Sequence, residues 1–456
     1  MPELPEVETV RRILNDVIVG ATIKTVDVRF RKIIQGDVDI FCQTLTGATF
    51  LNVERIGKYL IFFLTNDIVL VSHLRMEGKY VEKFSEDEIS KHGHVNFFLS
   101  DGRILSYEDT RKFGTMEIAT KNNYLSLPSL AKLGPEPFKM TADNLYQTLQ
   151  TKRIALKASL LDQTIMTGLG NIYADEVLFL TKLHPHLASN LVKKKDAENI
   201  IKVSREVLNK AIKAGGTTVR SYAPASGISG SFQLNLFAYG RAGEKCLVCQ
   251  RIMKRTVVAG RGTTYCPYCQ KHDSIPTVIG ITGLIGAGKS TLGNMLKNEG
   301  YTVIDSDNIV KELYADKAVI TALSRELAVN LLENGVFSRE LLRSFVRENK
   351  DAAKKLNNFI HPLVKQKMET LIKSAQGVIV FEVPLIFSHQ INILFDYIIG
   401  VETSVEKQLE YLSKRKVKPV LTPDATYFKN RAKLDYIIIN DEDEASLLSK
   451  FKAFKF

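Results

Sequence analysis

Four of the five cysteines fall as C-x2-C-x16-C-x2-C: Cys246, Cys249, Cys266 and Cys269. Each close pair puts two thiolates on one turn, so two turns can bring four sulfurs to one tetrahedral centre. Two disulfides or a dithiol redox pair would use the same residues. The closed four-sulfur set fits one structural Zn2+ per chain, which folds a ribbon and does no chemistry. Cys42 stands alone and reads as a small core residue. A second signal is Gly283-Leu284-Ile285-Gly286-Ala287-Gly288-Lys289-Ser290, followed by Thr291, which fits G-x-x-x-x-G-K-S. Backbone N–H groups at Gly283, Gly286, Ala287 and Gly288 would cradle phosphates, Lys289 would reach the β/γ-phosphates, and Ser290 would ligate Mg2+. That chemistry is ATP binding with Mg2+. The third signal is Pro2. With Met1 removed it presents a secondary α-amine, and α-amines titrate near ~8, so a useful fraction is neutral at pH 7. A neutral amine attacks an electrophilic carbon and forms a Schiff base, with Glu3 beside it as a proton source. Pro-Glu is equally a plain helix start.

These groups need scaffolds. A chain of 456 residues exceeds the ~250–300 residues at which one core stops growing, and suggests about three domains. Composition is that of a globular protein, with 45% hydrophobic and 25% charged residues. The net charge is +12. It is uneven: residues 277–456 hold 25 basic and 22 acidic side chains, residues 1–276 hold 37 and 28. The excess in the first part favours a polyanionic partner. No apolar run approaches the ~18 residues of a membrane span, and the acidic start Met-Pro-Glu-Leu-Pro-Glu lacks a secretory core. The expectation is a cytoplasmic protein, nucleoid-associated when on DNA, with no membrane partner; that compartment disfavours disulfides.

Pro5 and the early acids mark a helix over 1–14, with Val7, Val10 and Leu14 on one face. Short runs at 22–30, 49–55, 59–64, 68–73, 95–99 and 115–119 predict a β-sandwich or barrel. Helical spacing follows at 142–149, 156–163, 172–180 and 197–214, and then the cysteine ribbon. From 277, buried-type strands at 277–282, 302–305, 378–382 and 397–401 alternate with helices, the first at 291–299. That is α/β with a parallel sheet. The expected class is multidomain, α+β then α/β: a β-sandwich domain with its N-terminal helix over 1–130, a helix–two-turn–helix DNA-binding domain over 131–240, a zinc ribbon over 241–272, and a P-loop NTPase-type kinase domain over 277–456. Residues 270–276 are too few for a free linker.

Residues 2–272 resemble the formamidopyrimidine-DNA glycosylase family. The motifs are Pro2-Glu3-Leu4-Pro5-Glu6, Arg55-Ile56-Gly57-Lys58-Tyr59-Leu60, Ser72-His73-Leu74-Arg75-Met76, Asp109-Thr110-Arg111-Lys112-Phe113-Gly114, Gly168-Leu169-Gly170-Asn171-Ile172-Tyr173, and the ribbon with Gly260-Arg261-Gly262. The resemblance implies a glycosylase/AP lyase that excises oxidised purines (8-oxoguanine, formamidopyrimidines) from damaged double-stranded DNA, with β,δ-elimination. It implies Pro2 as nucleophile on C1′, Glu3 as proton donor, Glu6 as supporting acid, Lys58 for β-elimination and Arg261 for δ-elimination. It places His73, His92, Arg153 and Asn171 on DNA. Met76, Arg111 and Phe113 would fill the hole left by the extruded base, as an apolar wedge and an Arg plane suit an unstacked step; singly, Met76 and Phe113 fit a core equally well. Residues 215–233 resemble the loop over the flipped base. Lys193-Lys194-Lys195 reads as a solvated run.

Residues 277–456 resemble dephospho-CoA kinase, through Val303-Ile304-Asp305-Ser306-Asp307, Ile360-His361-Pro362, Val383-Pro384-Leu385-Ile386-Phe387 and residues 435–440. The resemblance implies ATP-dependent phosphorylation of the 3′-hydroxyl of dephospho-CoA, with Asp307 as base. Asp305 would position metal or acceptor, or serve as a cap. Leu284, Ser388 and Tyr411 depart from the family pattern. The stretch from Thr422 to Asn440 is short for the family's lid helix, leaving Arg415 and Arg431 to cover phosphates. The reading is bifunctional; the alternative is a repair glycosylase/lyase with a degenerate nucleotide-binding module.

Overall fold

The first turn shows why a helix starts where it does. Glu3 is extended, with φ −106° and ψ −172°, and Pro5 sits in the first turn of the helix Leu4–Ile18, where its missing N–H costs nothing. Glu6 reaches back to accept the Glu3 N–H at 2.9 Å, as in a capping box. Leu4, Val7, Val10, Leu14 and Ile18 form the buried face. The computed structural model describes residues 2–217, 235–333, 335–349, 351–414 and 425–456. The chain divides into two compact units: Met1–Arg241 with Val257–Tyr265, and Ala242–Thr256 with Cys266–Phe456.

In the first unit, eight strands follow the helix: β1 (Ile23–Val28), β2 (Phe50–Ile56), β3 (Tyr59–Leu64), β4 (Ile68–His73), β5 (Lys79–Lys83), β6 (Gly93–Leu99), β7 (Ile104–Glu108) and β8 (Thr115–Thr120). They form two antiparallel sheets, β1-β6-β7-β5 and β2-β3-β4-β8. One core joins both, with Val95, Phe97, Leu105 and Tyr107 from the first and Phe50, Phe62, Leu70 and Met116 from the second. β4 is buried at every position, because Val69 and Val71 on its other face pack against Ile61 and Leu130. The expected strands are present. The strands Lys79–Lys83 and Ile104–Glu108 and the helix Val38–Leu45 were not foreseen. That helix is capped by Asp37, which accepts from the N–H groups of Asp39 and Ile40.

Four helices follow, Ala142–Gln150, Leu156–Leu161, Asn171–Leu180 and Lys194–Lys213. The last starts three residues earlier than its spacing suggests, on the lysine run, where Lys194 pairs with Asp143 at 2.7 Å. Strands β9 (Lys254–Val258) and β10 (Arg261–Tyr265) form the two-stranded ribbon sheet, and the division into units falls within it.

In the second unit, β11 (Thr277–Gly283), β12 (Thr302–Asp305), β15 (Val378–Glu382), β16 (Tyr397–Glu402) and β17 (Tyr436–Ile439) form a parallel sheet in the order β12-β15-β11-β16-β17. The short strands β13 (Leu332–Glu333) and β14 (Val336–Phe337) pair apart from it. β11 is buried throughout, with one apolar cluster around Phe381 and Met368 and another around Ile281 and Leu292. β17 is a strand beyond the four foreseen. Among the described residues, no helix is long and apolar enough to cross a membrane.

Candidate active site and nucleotide site

Glu3 sits at the N-terminus of the helix Asn171–Leu180. Its carboxylate accepts the N–H groups of Gly170 at 2.7 Å, Ile172 at 2.8 Å and Tyr173 at 3.3 Å. The approach is close enough that a Cβ on Gly170 would lie 2.3 Å from Glu3 Cδ, so only glycine fits. Burial pushes the Glu3 carboxyl up to about 7, with Lys58 opposing and Glu6 reinforcing. A carboxylic acid that still holds its proton near neutrality is a proton donor. Glu6 accepts from the Tyr173 hydroxyl at 2.7 Å and from Thr217, through N–H at 2.9 Å and Oγ1 at 3.1 Å. Pro2 is buried next to this pair. Lys58 is buried and donates to the Leu169 carbonyl at 2.7 Å; burial lowers its pKa, Glu3 and Glu6 oppose this, and Arg261 adds to it. The turn that carries Lys58 is held by Glu136, which accepts from Arg55 Nη1 at 2.5 Å and from the Gly57 N–H at 2.8 Å.

Around this centre the DNA-contact candidates fall into groups. His73 ends β4, and its Nδ1 accepts the Arg75 N–H at 2.9 Å. Burial, with Arg75 and Lys58 nearby, lowers its pKa to about 3, so the ring is neutral and offers Nε2–H. Met76 is half-buried just beyond. Arg111 and Phe113 are exposed together, the guanidinium 4.9 Å from the ring centre, which removes the core reading of Phe113. Their loop is folded by Asp109, whose carboxylate accepts the N–H groups of Arg111, Phe113 and Gly114 at 2.8–2.9 Å. His92 lies 6.5 Å from His94, ring to ring. Arg153 is exposed. Asn171 donates to the Gly262 carbonyl at 3.0 Å, beside the exposed Arg261. The buried pair Lys157–Asp175, at 2.6 Å, also pins β10 through Thr263 and Thr264.

The four ribbon sulfurs lie within 4.8 Å of one another, with Cys246–Cys269 at 3.9 Å and Cys249–Cys266 at 3.4 Å. Zn–S bonds of ~2.3 Å in a tetrahedron put sulfurs about 3.8 Å apart, so these residues fit the ion. No disulfide joins any of the cysteines.

In the second unit, β11 runs into the glycine-rich loop and the helix Lys289–Asn298. Gly286 and Gly288 have φ of +80° and +100°, which L side chains rarely adopt. Lys289 donates to the carbonyls of Gly283 and Leu284 at 3.0 and 2.9 Å. Ser290 Oγ donates to Glu382 at 2.6 Å, a hydroxyl–carboxylate pair suited to a divalent cation. Asn440 donates to the Ala287 carbonyl at 3.0 Å and Gln408 to that of Ile285 at 2.6 Å. Asp305 caps the helix Ser306–Ala315 by accepting the Asp307 N–H at 2.9 Å. Burial and Asp305 raise the Asp307 pKa. Arg431 is bound by Glu402 at 2.7 and 3.0 Å. Arg415 lies outside the described residues, as does 218–233 of the expected loop.

Residues 1–116 match the model of the formamidopyrimidine-DNA glycosylase N-terminal domain, 133–223 that of the same enzymes' H2TH domain, and 243–271 the zinc finger found in FPG and IleRS. A formamidopyrimidine-DNA glycosylase of Bacillus cereus is 46% identical over 274 residues, covering 59% of this chain and 99% of the relative. The chain belongs to the formamidopyrimidine-DNA glycosylase family. The Bacillus licheniformis glycosylase is 47% identical over 275 residues, at 59% and 100% coverage. The structure of a Lactococcus lactis FPG mutant with DNA containing Fapy-dG shares 40% identity and a TM-score of 0.57, at 59% and 100% coverage. Beyond the glycosylase, residues 277–444 match the dephospho-CoA kinase model, so a dephospho-CoA kinase domain with a parallel sheet follows the zinc finger.

Within this glycosylase, motif reading singled out Pro2, Glu3, Glu6 and Lys58, but gave no holding role to Tyr173 or Thr217, which stood in quoted segments, and did not single out Glu136. Tyr173, Thr217 and Glu136 act across 81 to 211 residues of chain, and no local spacing announces such partners. Glu382 was quoted only as the end of a strand.

Proposed function

We propose that the chain is bifunctional: a DNA glycosylase/AP lyase for 8-oxoguanine and formamidopyrimidines, and an ATP-dependent kinase for the 3′-hydroxyl of dephospho-CoA. The observation that carries the first activity is the buried Glu3, held protonated near neutrality by its pocket beside Pro2 and Lys58. The Pro2 nitrogen bonds to C1′ as the glycosidic bond breaks, and the base leaves with that electron pair and a proton traceable to Glu3. The sugar ring opens to a Schiff base. Loss of the C2′ proton, assisted by Lys58, expels the 3′-phosphate; the second elimination, with Arg261, expels the 5′-phosphate. Met76, Arg111 and Phe113 occupy the vacated stack, while His73, His92, Arg153 and Asn171 hold phosphates. Four Cys thiolates hold Zn2+ and fold the ribbon. The domain limits 1–130, 131–240, 241–272 and 277–456 and a cytoplasmic location belong to the same reading. Borohydride should trap the full chain on an 8-oxoguanine duplex; a chain that binds the duplex but is never trapped ends the Schiff-base reading.

The second activity rests on a P-loop NTPase-type site: Gly283 to Thr291 cradling ATP, Ser290 and Glu382 on Mg2+, and Asp307 facing the acceptor hydroxyl. One observation favours the narrower alternative of a nucleotide-binding module without kinase turnover: Arg431 is held by Glu402. Full-length protein with ATP, Mg2+ and dephospho-CoA decides between them by CoA formed.

Glu3→Gln keeps the shape and removes the proton. Base excision in single turnover should fall by ~10^2–10^4-fold, the range of general acid catalysis, while cleavage at a preformed abasic site falls much less. The donor form of Glu3 exists below about 7 and the neutral form of the Pro2 amine grows up to ~8, so wild-type excision should pass through a maximum between the two and decline at higher pH. A profile flat from pH 6 to 8.5 would remove Glu3 as donor.

A further inference from the structure

Ala242–Thr256 and Cys266–Phe456 make one compact unit, so the cysteine turns and the parallel sheet share a seam. Lys254, on β9, places Nζ 2.6 Å from Oδ2 of Asp435, with the two side chains only 12% and 6% exposed. The same Oδ2 accepts the Ile398 N–H of β16 at 2.8 Å. Arg251, between the paired cysteines, donates to the Lys455 carbonyl at 2.6 Å and lies 3.6 Å over the Tyr268 ring. Lys271 donates to the Phe456 carbonyl at 3.1 Å. The seam therefore combines a nearly dry ion pair with backbone hydrogen bonds from two flanking cations.

Asp435 immediately precedes β17, and β17 runs straight into Asn440. Asn440 is tied on both sides, its N–H to the Glu402 carbonyl at 2.7 Å and its Nδ2 to the Ala287 carbonyl in the glycine-rich loop at 3.0 Å. One ion pair, one four-residue strand and one hydrogen bond thus connect the ribbon to the loop. Among the described residues, β17 is the outer strand of the sheet, paired with β16.

We propose that the zinc-loaded ribbon is a structural part of the kinase domain, and that its metal state sets the order of β17 and the grip of the glycine-rich loop on a nucleoside triphosphate. The nucleotide clause rests on the reading given above for that loop. The physical reason is local. Short cysteine modules hold their shape only with metal bound. Without it the turns bearing Arg251 and Lys271 and the base of β9 loosen, and Lys254 leaves Asp435. A buried carboxylate that loses its partner must be hydrated, which an outer strand does by parting from its neighbour. Zinc loss would then reach the nucleotide site without touching it.

Hydrogen exchange on the full chain tests this in three states: zinc-loaded, zinc-stripped with metal content measured, and zinc-loaded Lys254→Met. Peptides over 397–402 and 436–440 should exchange on the order of 10-fold faster in the second and third states, as local opening is eased, while β3 and β4 stay protected. A fluorescent ATP analogue should bind ~3–10-fold more weakly in both, and stripping zinc from Lys254→Met should add little, because coupled perturbations are not additive. Unchanged exchange at 436–440 in stripped protein whose cysteine turns exchange freely overturns the proposal, as does Lys254→Met behaving as wild type. If even the zinc-loaded chain binds no ATP analogue, the nucleotide reading fails by itself, and exchange at β17 still decides the structural coupling.

Discussion

Chains carrying Pro2→Glu, with Met1 shown by intact mass to be retained, give no borohydride-trapped DNA complex, and strand cleavage at 8-oxoguanine falls by at least ~10^3-fold, as expected when a covalent nucleophile is deleted. Binding to a duplex with an uncleavable abasic analogue changes far less, since the phosphate and stacking contacts assigned to Arg111, Phe113, Arg153 and Asn171 are untouched. Pro2→Gly, with Met1 removed, is the informative companion. It still has an α-amine, now primary, that forms an imine, so trapping persists at reduced rate. The buried ring of Pro2 is lost, and with it the fixed direction of the nitrogen. If Pro2→Glu were trapped as efficiently as wild type, the nucleophile would be another amine, and Lys58, buried beside Glu3 with a lowered pKa, would be the first to replace. Its hydrogen bond to the Leu169 carbonyl makes it the weaker candidate, because that bond favours the charged ammonium.

What was legible in the sequence was what chemistry fixes locally. The cysteine spacing and the G-x-x-x-x-G-K-S run define their sites within a few residues, and their geometry here is that of a four-sulfur centre and a strand–loop–helix. Strands that are short, mostly apolar runs were legible, including Ile68–His73, which is buried at every position. Others were not: the strand Lys79–Lys83 carries two lysines and a glutamate, and Ile104–Glu108 is a five-residue strand whose apolar run is broken by Ser106 and Glu108. The supporting shell was the least legible. Glu3 is held by amides about 170 residues away and Glu6 by Thr217, 211 residues on. Asp109, like Gly170 and Tyr173, stood inside a quoted motif, yet its role in folding the loop of Arg111 and Phe113 follows from three backbone hydrogen bonds that sequence alone does not display. Asp305 shows the opposite lesson. A D-x-D pair invites a metal, and of the two roles the sequence offered Asp305, the structure displays the helix cap.

Lys289→Ala should abolish CoA formation while leaving strand cleavage at 8-oxoguanine intact. The Lys289 ammonium donates to the carbonyls of Gly283 and Leu284, so it lies inside the loop and needs no reach to meet a phosphate. Removing one pre-placed cation from a phosphoryl-transfer site costs on the order of 10^2–10^3-fold in turnover. Glu382→Gln separates the contributions. It leaves Lys289 in place but weakens the Ser290–Glu382 pair, so CoA formation should fall and recover partly at high Mg2+, which Lys289→Ala should not do. Wild-type chain that binds ATP yet makes no CoA would favour the alternative in which Arg431, tied to Glu402, cannot serve the phosphates. Glu402→Gln would then be the decisive variant: it loosens Arg431 without touching the glycine-rich loop, and a gain of CoA formation would show that the module is restrained by that ion pair and not degenerate.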